Sequence, residues 1–323
     1  FSLLDTKTVR IGTWDFHVIQ LEDKDIYAEY VKKTRYPANL WSSNFAYLWA
    51  DSQSSKRTIL WRIIDGLLVT FAYSYKKTLY LFCLPFGDST PEKLIDVLLT
   101  ALNYCLEWNY FNKDAAVVRM INENQLEFLE KDERFFQYFR KTVWSGIERH
   151  YDLKLVSELK GKDFENIRNR INKFRRENPD AQISHYQKED YEELLKLDEK
   201  WRNTSGRKYP NIFDGVYYKE LLKHHDELEQ TTLIMRKGRR IIGMISGGLL
   251  HTGQTWGSVV KFEDHIPGLS ETLTVEFCRL LRRMFPEAKY INVGSDLGSG
   301  GLRDFKLKFR PVLNLKRYQL YLR

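Results

Sequence analysis

No apolar run in this chain approaches the ~20 residues that a helix needs to cross a bilayer. The longest candidate, Leu94 to Leu106, is interrupted by Asp96, Thr100 and Asn103 and reads as an amphipathic helix. The opening FSLLDTKTVR has no basic start, apolar core or cleavage-like end, so no secretory leader is expected in it. Cysteine is scarce. Cys83, Cys105 and Cys278 lie in apolar or helical surroundings without metal-ligand spacing, and read as buried free thiols of a cytoplasmic protein. The His224-His225 pair lacks a third ligand at metal spacing, so neither a metal nor another cofactor is expected.

What is present describes a globular protein. A hydrophobic content of 43% spread over 323 residues suits two domains of ordinary size, each able to bury a core. The net charge of +8 is compatible with nucleic acid, an anionic membrane surface or a phosphorylated ligand, and selects none of them.

The chain reads as one plan used twice. In the first half, Arg57 to Ile64 is a strand, Asp65-Gly66 a two-residue hairpin signal, and Leu67 to Tyr75 the returning strand. Leu79 to Leu84 is a third strand. Thr90 to Asn109 is a helix with Pro91 in its first turn, and Ala116 to Val118 a further strand. In the second half, helices span Asp190 to Trp201 and about Val216 to His225. Strands are expected at 232–236, 240–250 and 256–262, then a long helix over 270–285 and a strand at 290–293. The boundary is expected near residue 150, giving domains 1–150 and 151–323.

Tyr290 to Tyr318, YINVGSDLGSGGLRDFKLKFRPVLNLKRY, is the most informative stretch. A short strand runs into a glycine-punctuated turn. Beyond it, Lys306, Lys308 and Arg310 alternate with Leu307 and Phe309, the period of a half-buried strand over 305–312. Arg303 follows Gly300-Gly301, where the backbone can approach a ligand closely, and its guanidinium suits a carboxylate or phosphate. A hairpin with a solvated basic face is the plainer reading of the same pattern.

GLRDFKLKFRP followed by KRY resembles the end of the C-terminal catalytic domain of phosphatidylglycerol lysyltransferases and of the stand-alone DUF2156 proteins similar to it. Asn292, Gly294, Asp296, Leu297, Gly298, Gly301, Leu302, Arg303, Lys306 and Pro311 match that pattern. Tyr151 to Pro179 resembles the family's inter-domain segment, and Gly257 to Glu271 its strand-and-turn block carrying Lys-x-Glu. The resemblance implies an α+β fold of two tandem GNAT-like domains, each a mixed, mostly antiparallel sheet flanked by helices, joined by a basic linker helix over 164–178. It implies an aminoacyltransferase that takes its donor from aminoacyl-tRNA. The acceptor is then an anionic lipid headgroup or a small molecule or peptide, with peripheral contact at the inner membrane face. An acyl-CoA N-acyltransferase and a non-catalytic binding protein on the same fold are the alternatives. The stretch Glu263 to Ser270 departs from the pyrophosphate loop of acyl-CoA enzymes: Pro267 lacks a donor, and Glu263 and Asp264 would repel a diphosphate.

Under that resemblance Lys261, Glu263, Asp296 and Arg303 are the candidate catalytic residues, all expected at strand ends that meet at one cleft. Glu263 or Asp296 would hold the amino group of the donor, and Arg303 or Lys306 a phosphate or an anionic acceptor. Asn292, Gly294, Gly301, Lys306 and Lys308 are candidate substrate-binding positions. On the linker helix, Arg168, Arg170, Lys173, Arg175 and Arg176 are candidates for tRNA phosphates. Ile167, Ile171 and Phe174 form the apolar stripe that docks the helix, whose basic face is otherwise simply solvated.

Overall fold

The computed structural model describes residues 2–3, 7–209 and 214–323. The chain divides into two compact units. The first takes residues up to Ser145 together with Leu315–Arg323, and the second is Gly146–Asn314.

The first unit begins with strands β1 (Ser2–Leu3), β2 (Thr8–Ile11) and β3 (Trp14–Val18), then helices α1 (Lys24–Lys33) and α2 (Phe45–Ser52). A meander follows: β4 (Arg57–Ile64), β5 (Leu67–Ser74) and β6 (Leu79–Leu81). Asp65 (φ 49°) and Gly66 (φ 79°) both occupy the left-handed region, the type I′ geometry that matches strand twist, and Ile64 pairs with Leu67 across them. Helix α3 (Pro91–Trp108) is capped by Thr90, whose hydroxyl accepts from the Lys93 N–H at 3.2 Å. It buries Leu94, Leu98, Ala101, Leu102 and Cys105 on one face. β7 (Val117–Asn122) then pairs parallel to β6, and α4 (Glu123–Leu129) and α5 (Arg134–Tyr138) lead out. All three cysteines are buried free thiols, and burial pushes Cys83 up to about 12.

In the second unit, the end of β8 (Phe139–Asp152) is followed by α6 (Leu153–Glu158), α7 (Glu165–Glu177) and β9 (Ala181–His185). Helices α8 (Tyr191–Asn203) and α9 (Gly215–Lys223) precede the meander β10 (Gln230–Lys237), β11 (Arg240–Leu249) and β12 (Thr255–Phe262). Helix α10 (Leu269–Met284) crosses to β13 (Tyr290–Ser295), which pairs parallel to β12. Its sheet runs β8-β13-β12-β11-β10-β9, with every pair but β12–β13 antiparallel. One face packs on α6, α7 and α10 through Ile167, Ile171, Phe174, Leu273, Phe277 and their neighbours. The other packs on α8 and α9 through Leu194, Leu197, Tyr218, Met244 and Val259.

Two expectations are corrected. Residues 305–312 are not a strand: α11 (Gly300–Leu307) is a helix, and Gly300-Gly301 open it instead of turning a hairpin. The 305–312 segment also fits helical spacing, since Leu302, Phe305, Lys306 and Phe309 recur at intervals of three and four. Phe305 and Phe309 meet edge to face at 5.4 Å, and Phe309 is fully buried against Tyr151. The final strand is β14 (Leu313–Leu322), and it does not complete a domain 151–323. It pairs antiparallel with β7, Tyr318 opposite Ile121, so Leu315–Arg323 belong to the first unit and the second begins at Gly146. The basic helix α7 lies wholly within the second unit, its apolar stripe buried as expected.

Candidate functional site

The parallel ladder between β12 and β13 is short: Thr255 pairs with Ile291 and Trp256 with Asn292. Both strands continue beyond it without pairing to one another, β12 to Phe262 and β13 to Ser295. In open α/β sheets ligands bind outside the carboxyl ends of parallel strands. The candidates on these strands stand at their two carboxyl ends, here called lips: Lys261 and Glu263 at the end of β12, and Asp296 just past the end of β13.

On the β12 lip, Lys261 is fully buried, pointing to the α8–α9 side of the sheet. Its ammonium lies 2.6 Å from Asp214 Oδ2 and 3.2 Å from Asp198 Oδ1, and sits 3.6 Å from the centre of the Trp201 ring. Arg202 closes the cluster, with Nε 2.8 Å from Asp198 and Nη2 3.1 Å from Asp214. Two cations therefore face two carboxylates. Burial acts to lower the Arg202 pKa, but the hydrogen bond to Asp198 and the charges of Asp198 and Asp214 raise it overall. Glu263 is bound by Lys200 (3.1 Å) and Arg240 (3.5 Å), and Asp264 accepts from the Ser205 hydroxyl. Three polar links thus bolt the end of β12 to helix α8 and the turn after it. Lys261 has no contact with solvent.

On the β13 lip, the motif residues build the loop. The Asn292 side chain donates to Glu148 at 3.1 Å and accepts from the Gly294 N–H at 2.9 Å, with Gly294 at φ 75°. Lys306 reaches back from α11 to donate to the carbonyls of Val293 (2.6 Å) and Ser295 (2.9 Å). Asp296 accepts from the N–H of Ile147 (3.0 Å) and of Gly298 (3.1 Å), and pairs with Arg149 at 2.8 Å. Burial acts to raise its pKa, and these donors outweigh that and hold the carboxyl below its ordinary value. Its oxygens are already occupied by donors of the chain. Arg303 differs from all of these. It stands in the first turn of α11, with its side chain 55% exposed and Asp304 of its own helix 3.7 Å away. Its guanidinium folds back over Gly300. A Cβ at Gly301 would come within 3.1 Å of the Tyr209 hydroxyl, so that hydroxyl lies close beside the double glycine.

The remaining candidates lie on α7 and the turn before α10. Gly268 (φ 82°) rests directly on α7: a Cβ there would come within 2.4 Å of the Arg170 carbonyl and 2.9 Å of Phe174. The first turn of α10 holds a buried Glu271, 3.5 Å from both Arg170 and Lys308. This carboxylate takes up the positive end of the helix and the two cations together. Arg168 donates to the carbonyls of Leu159 and Gly161, Lys173 pairs loosely with Glu177 (3.8 Å), and Arg175 pairs with Glu276 (2.8 Å). Arg176 is exposed, and its side chain makes no ion pair or hydrogen bond with the described residues.

Reading the sequence alone missed Asp198, Asp214, Arg202, Trp201 and Tyr209. A faint signal existed for three of them: Asp198, Trp201 and Arg202 sit at i, i+3 and i+4 on one face of α8. Nothing local tied Asp214 to Lys261, 47 residues on.

The family described as "Phosphatidylglycerol lysyltransferase, C-terminal" matches residues 37–321. A conserved protein of unknown function from Bacteroides thetaiotaomicron superposes with a TM-score of 0.81 at 22% identity, covering 95% of this chain and 99% of that one. L-PGS from Bacillus licheniformis gives 0.65 at 15% identity, over 94% of this chain and 92% of its own. FemX gives 0.60 at 9%, over 95% and 97%. No curated protein matches the chain. The structural likenesses are likenesses of fold, a GNAT-like mixed sheet flanked by helices, as the sequence led us to expect. With the family match running through both units and through every motif just described, the chain belongs to the phosphatidylglycerol lysyltransferase C-terminal family.

Proposed function

We propose that the chain transfers an aminoacyl group from aminoacyl-tRNA to an anionic lipid headgroup of the phosphatidylglycerol type or to another small acceptor. The coarser statement rests on the family, one of transferases related to lysyl-phosphatidylglycerol synthase. The observation that carries the choice of donor is the first turn of α10. In an acyl-CoA enzyme that turn presents free N–H groups to a pyrophosphate. Here Pro267 lacks an N–H, Gly268 is pressed against α7, and Glu271 already neutralises the helix end. An aminoacyl ester is energy-rich and needs no such seat. Among the described residues no helix is long and apolar enough to cross a membrane, so a lipid acceptor would be met at a surface.

In this reading Arg303, beside the Tyr209 hydroxyl and Gly301, grips the phosphate or carboxylate of a substrate. Lys261 and Asp296 hold the two lips in position without touching substrate. Glu263, between two cations on the β12 lip, orients α8. Asn292, Gly294 and Lys306 shape the β13 loop, and Lys308 secures Glu271. Arg176, with Arg170, Lys173 and Arg175 around it, offers tRNA its phosphate contacts.

The direct test is to incubate the protein with radiolabelled aminoacyl-tRNAs and a lipid or metabolite extract and follow the label. No transfer to any acceptor sinks the reading. Calorimetry with acetyl-CoA is expected to give nothing tighter than the millimolar range, about −4 kcal/mol. Micromolar binding would favour an acyl-CoA enzyme. A third measurement sorts the basic helix: Arg176→Ala should reduce the salt slope of tRNA binding by roughly one unit, in proportion to one lost phosphate contact. Arg168→Ala should leave the slope alone, because that guanidinium serves the carbonyls of its own fold. An unchanged slope in Arg176→Ala together with Lys173→Ala would remove α7 from the tRNA surface.

A further inference from the structure

In the first unit, two adjoining turns hold bulky residues in the left-handed backbone region that glycine normally fills. Helix α3 ends in a Schellman arrangement, with the Phe111 N–H donating to the Leu106 carbonyl at 2.7 Å and Tyr110 to Glu107 at 3.2 Å. The residue after the cap of such an ending is usually glycine, because a Cβ there crowds the following carbonyl. Here it is Tyr110 (φ 55°), and Phe111 (φ 61°) follows it. Neither ring is buried: Tyr110 is 94% exposed and Phe111 71%. The β5–β6 loop beside it does the same. Within it Lys77 stands at φ 62°, again a glycine position, and Tyr75 is 70% exposed.

The two turns are one surface. Asn109 bridges them, its side chain bonding both the N–H (2.9 Å) and the carbonyl (2.8 Å) of Leu79, and the Trp108 indole N–H donates to the Lys77 carbonyl at 3.0 Å. Of nine left-handed residues other than glycine among those described, three are here. Lys56, Lys76, Lys77 and Lys113 are exposed around the rings; of the nearby acids Glu107 and Asp114, the second is paired with Arg140 at 2.9 Å. Strain held without burial calls for something outside the fold that the rings serve.

We propose that this double turn docks the chain on an anionic membrane surface. Tyrosine and phenylalanine enter the headgroup layer with their apolar rings, and lysines meet lipid phosphates there. A nucleic acid fits less well: single strands are held in grooves lined with stacking rings, whereas these rings stand at the tips of turns and the exposed cations around them are mostly lysines. Docking needs neither tRNA nor turnover, so its failure would leave the transferase reading untouched.

The test is co-sedimentation of the full chain with phosphatidylcholine vesicles, pure or containing about 30% phosphatidylglycerol. The protein is expected to bind the anionic vesicles, less so in high salt, and to leave the neutral ones. Tyr110→Gly with Phe111→Gly should weaken binding at least ~tenfold through the lost apolar area. The same variant should melt at the wild-type temperature or higher, because glycine suits both φ angles; rings with a structural role would lower it. Lys76→Glu with Lys77→Glu should weaken vesicle binding while leaving the α3 end intact. The proposal is overturned if the wild type ignores anionic vesicles, if the glycine pair binds them as the wild type does, or if that pair loses tRNA in place of vesicles.

Discussion

Lys261→Met is expected to destabilise the second unit by about 3–5 kcal/mol, the loss typical when one partner of a buried charge cluster is removed. The side chain that methionine replaces is fully buried, so little solvent can screen the change. Asp198 and Asp214, each under a tenth exposed, would be left sharing Arg202 alone. The net charge of the cluster falls from zero to minus one, and the cation over Trp201 is lost with it. Equilibrium unfolding in urea measures the effect. Adding Asp214→Asn to Lys261→Met restores neutrality around Arg202 and Asp198 and should recover a substantial part of the loss. A single-variant loss under about 1 kcal/mol would mean that the cluster is hydrated and weak, as exposed pairs are.

The stability of that cluster bears on the site. Lys261 is anchored to α8 and to the start of α9, and Glu263 and Asp264 add links from the same strand end to Lys200 and Ser205. The β12 lip is therefore held by partners on α8, the turn after it and the start of α9. A lysine read as catalytic from its strand position turns out to carry its charge inward. The expectation that suggested it, strand ends meeting at one cleft, says nothing about which face of the sheet is covered by helices. Only the arrival of α8 and α9 on that face gives Lys261 its two carboxylates.

Much of the fold was nonetheless legible. Asp65-Gly66 and the Thr90-Pro91 start of α3 are signals with local causes, and each appears where the spacing demanded. The end of the chain was harder because KLKFR satisfies two periods. Alternation favoured a strand, whereas Leu302, Phe305, Lys306 and Phe309 serve equally as one face of a helix. The decision came from Tyr151, against which Phe309 packs, and from the carbonyls of Val293 and Ser295, which need the Lys306 ammonium. The pairing of β14 with β7 was hidden for a similar reason: Tyr318 and Ile121 meet across almost 200 residues, and no local pattern names a partner at that distance. The motif named the residues of the β13 loop but not which of them are used up in building it. Asn292, Gly294, Asp296 and Lys306 are occupied in making the loop.

That leaves Arg303, where the largest loss of activity is expected. Arg303→Lys should keep the fold and the charge yet slow label transfer roughly ten- to a hundred-fold, the worth of one charged hydrogen-bond pair. The guanidinium is a planar fork that can meet a phosphate or carboxylate at two points, and an ammonium cannot reproduce that geometry. The side chain is more than half exposed, and among the described residues its ion pair is with Asp304 at 3.7 Å. Stability should therefore stay within ±0.5 kcal/mol of the wild type, as for other surface changes. Asp296→Asn supplies the contrast. It removes the charge that faces the buried Arg149 and should lower stability, so any activity it loses would follow the fold. Measuring both variants for urea stability and for transfer separates the two roles. If Arg303→Lys transfers label at the wild-type rate, the guanidinium touches no substrate group that matters. Recognition of the anionic substrate would then have to come from elsewhere on the lips.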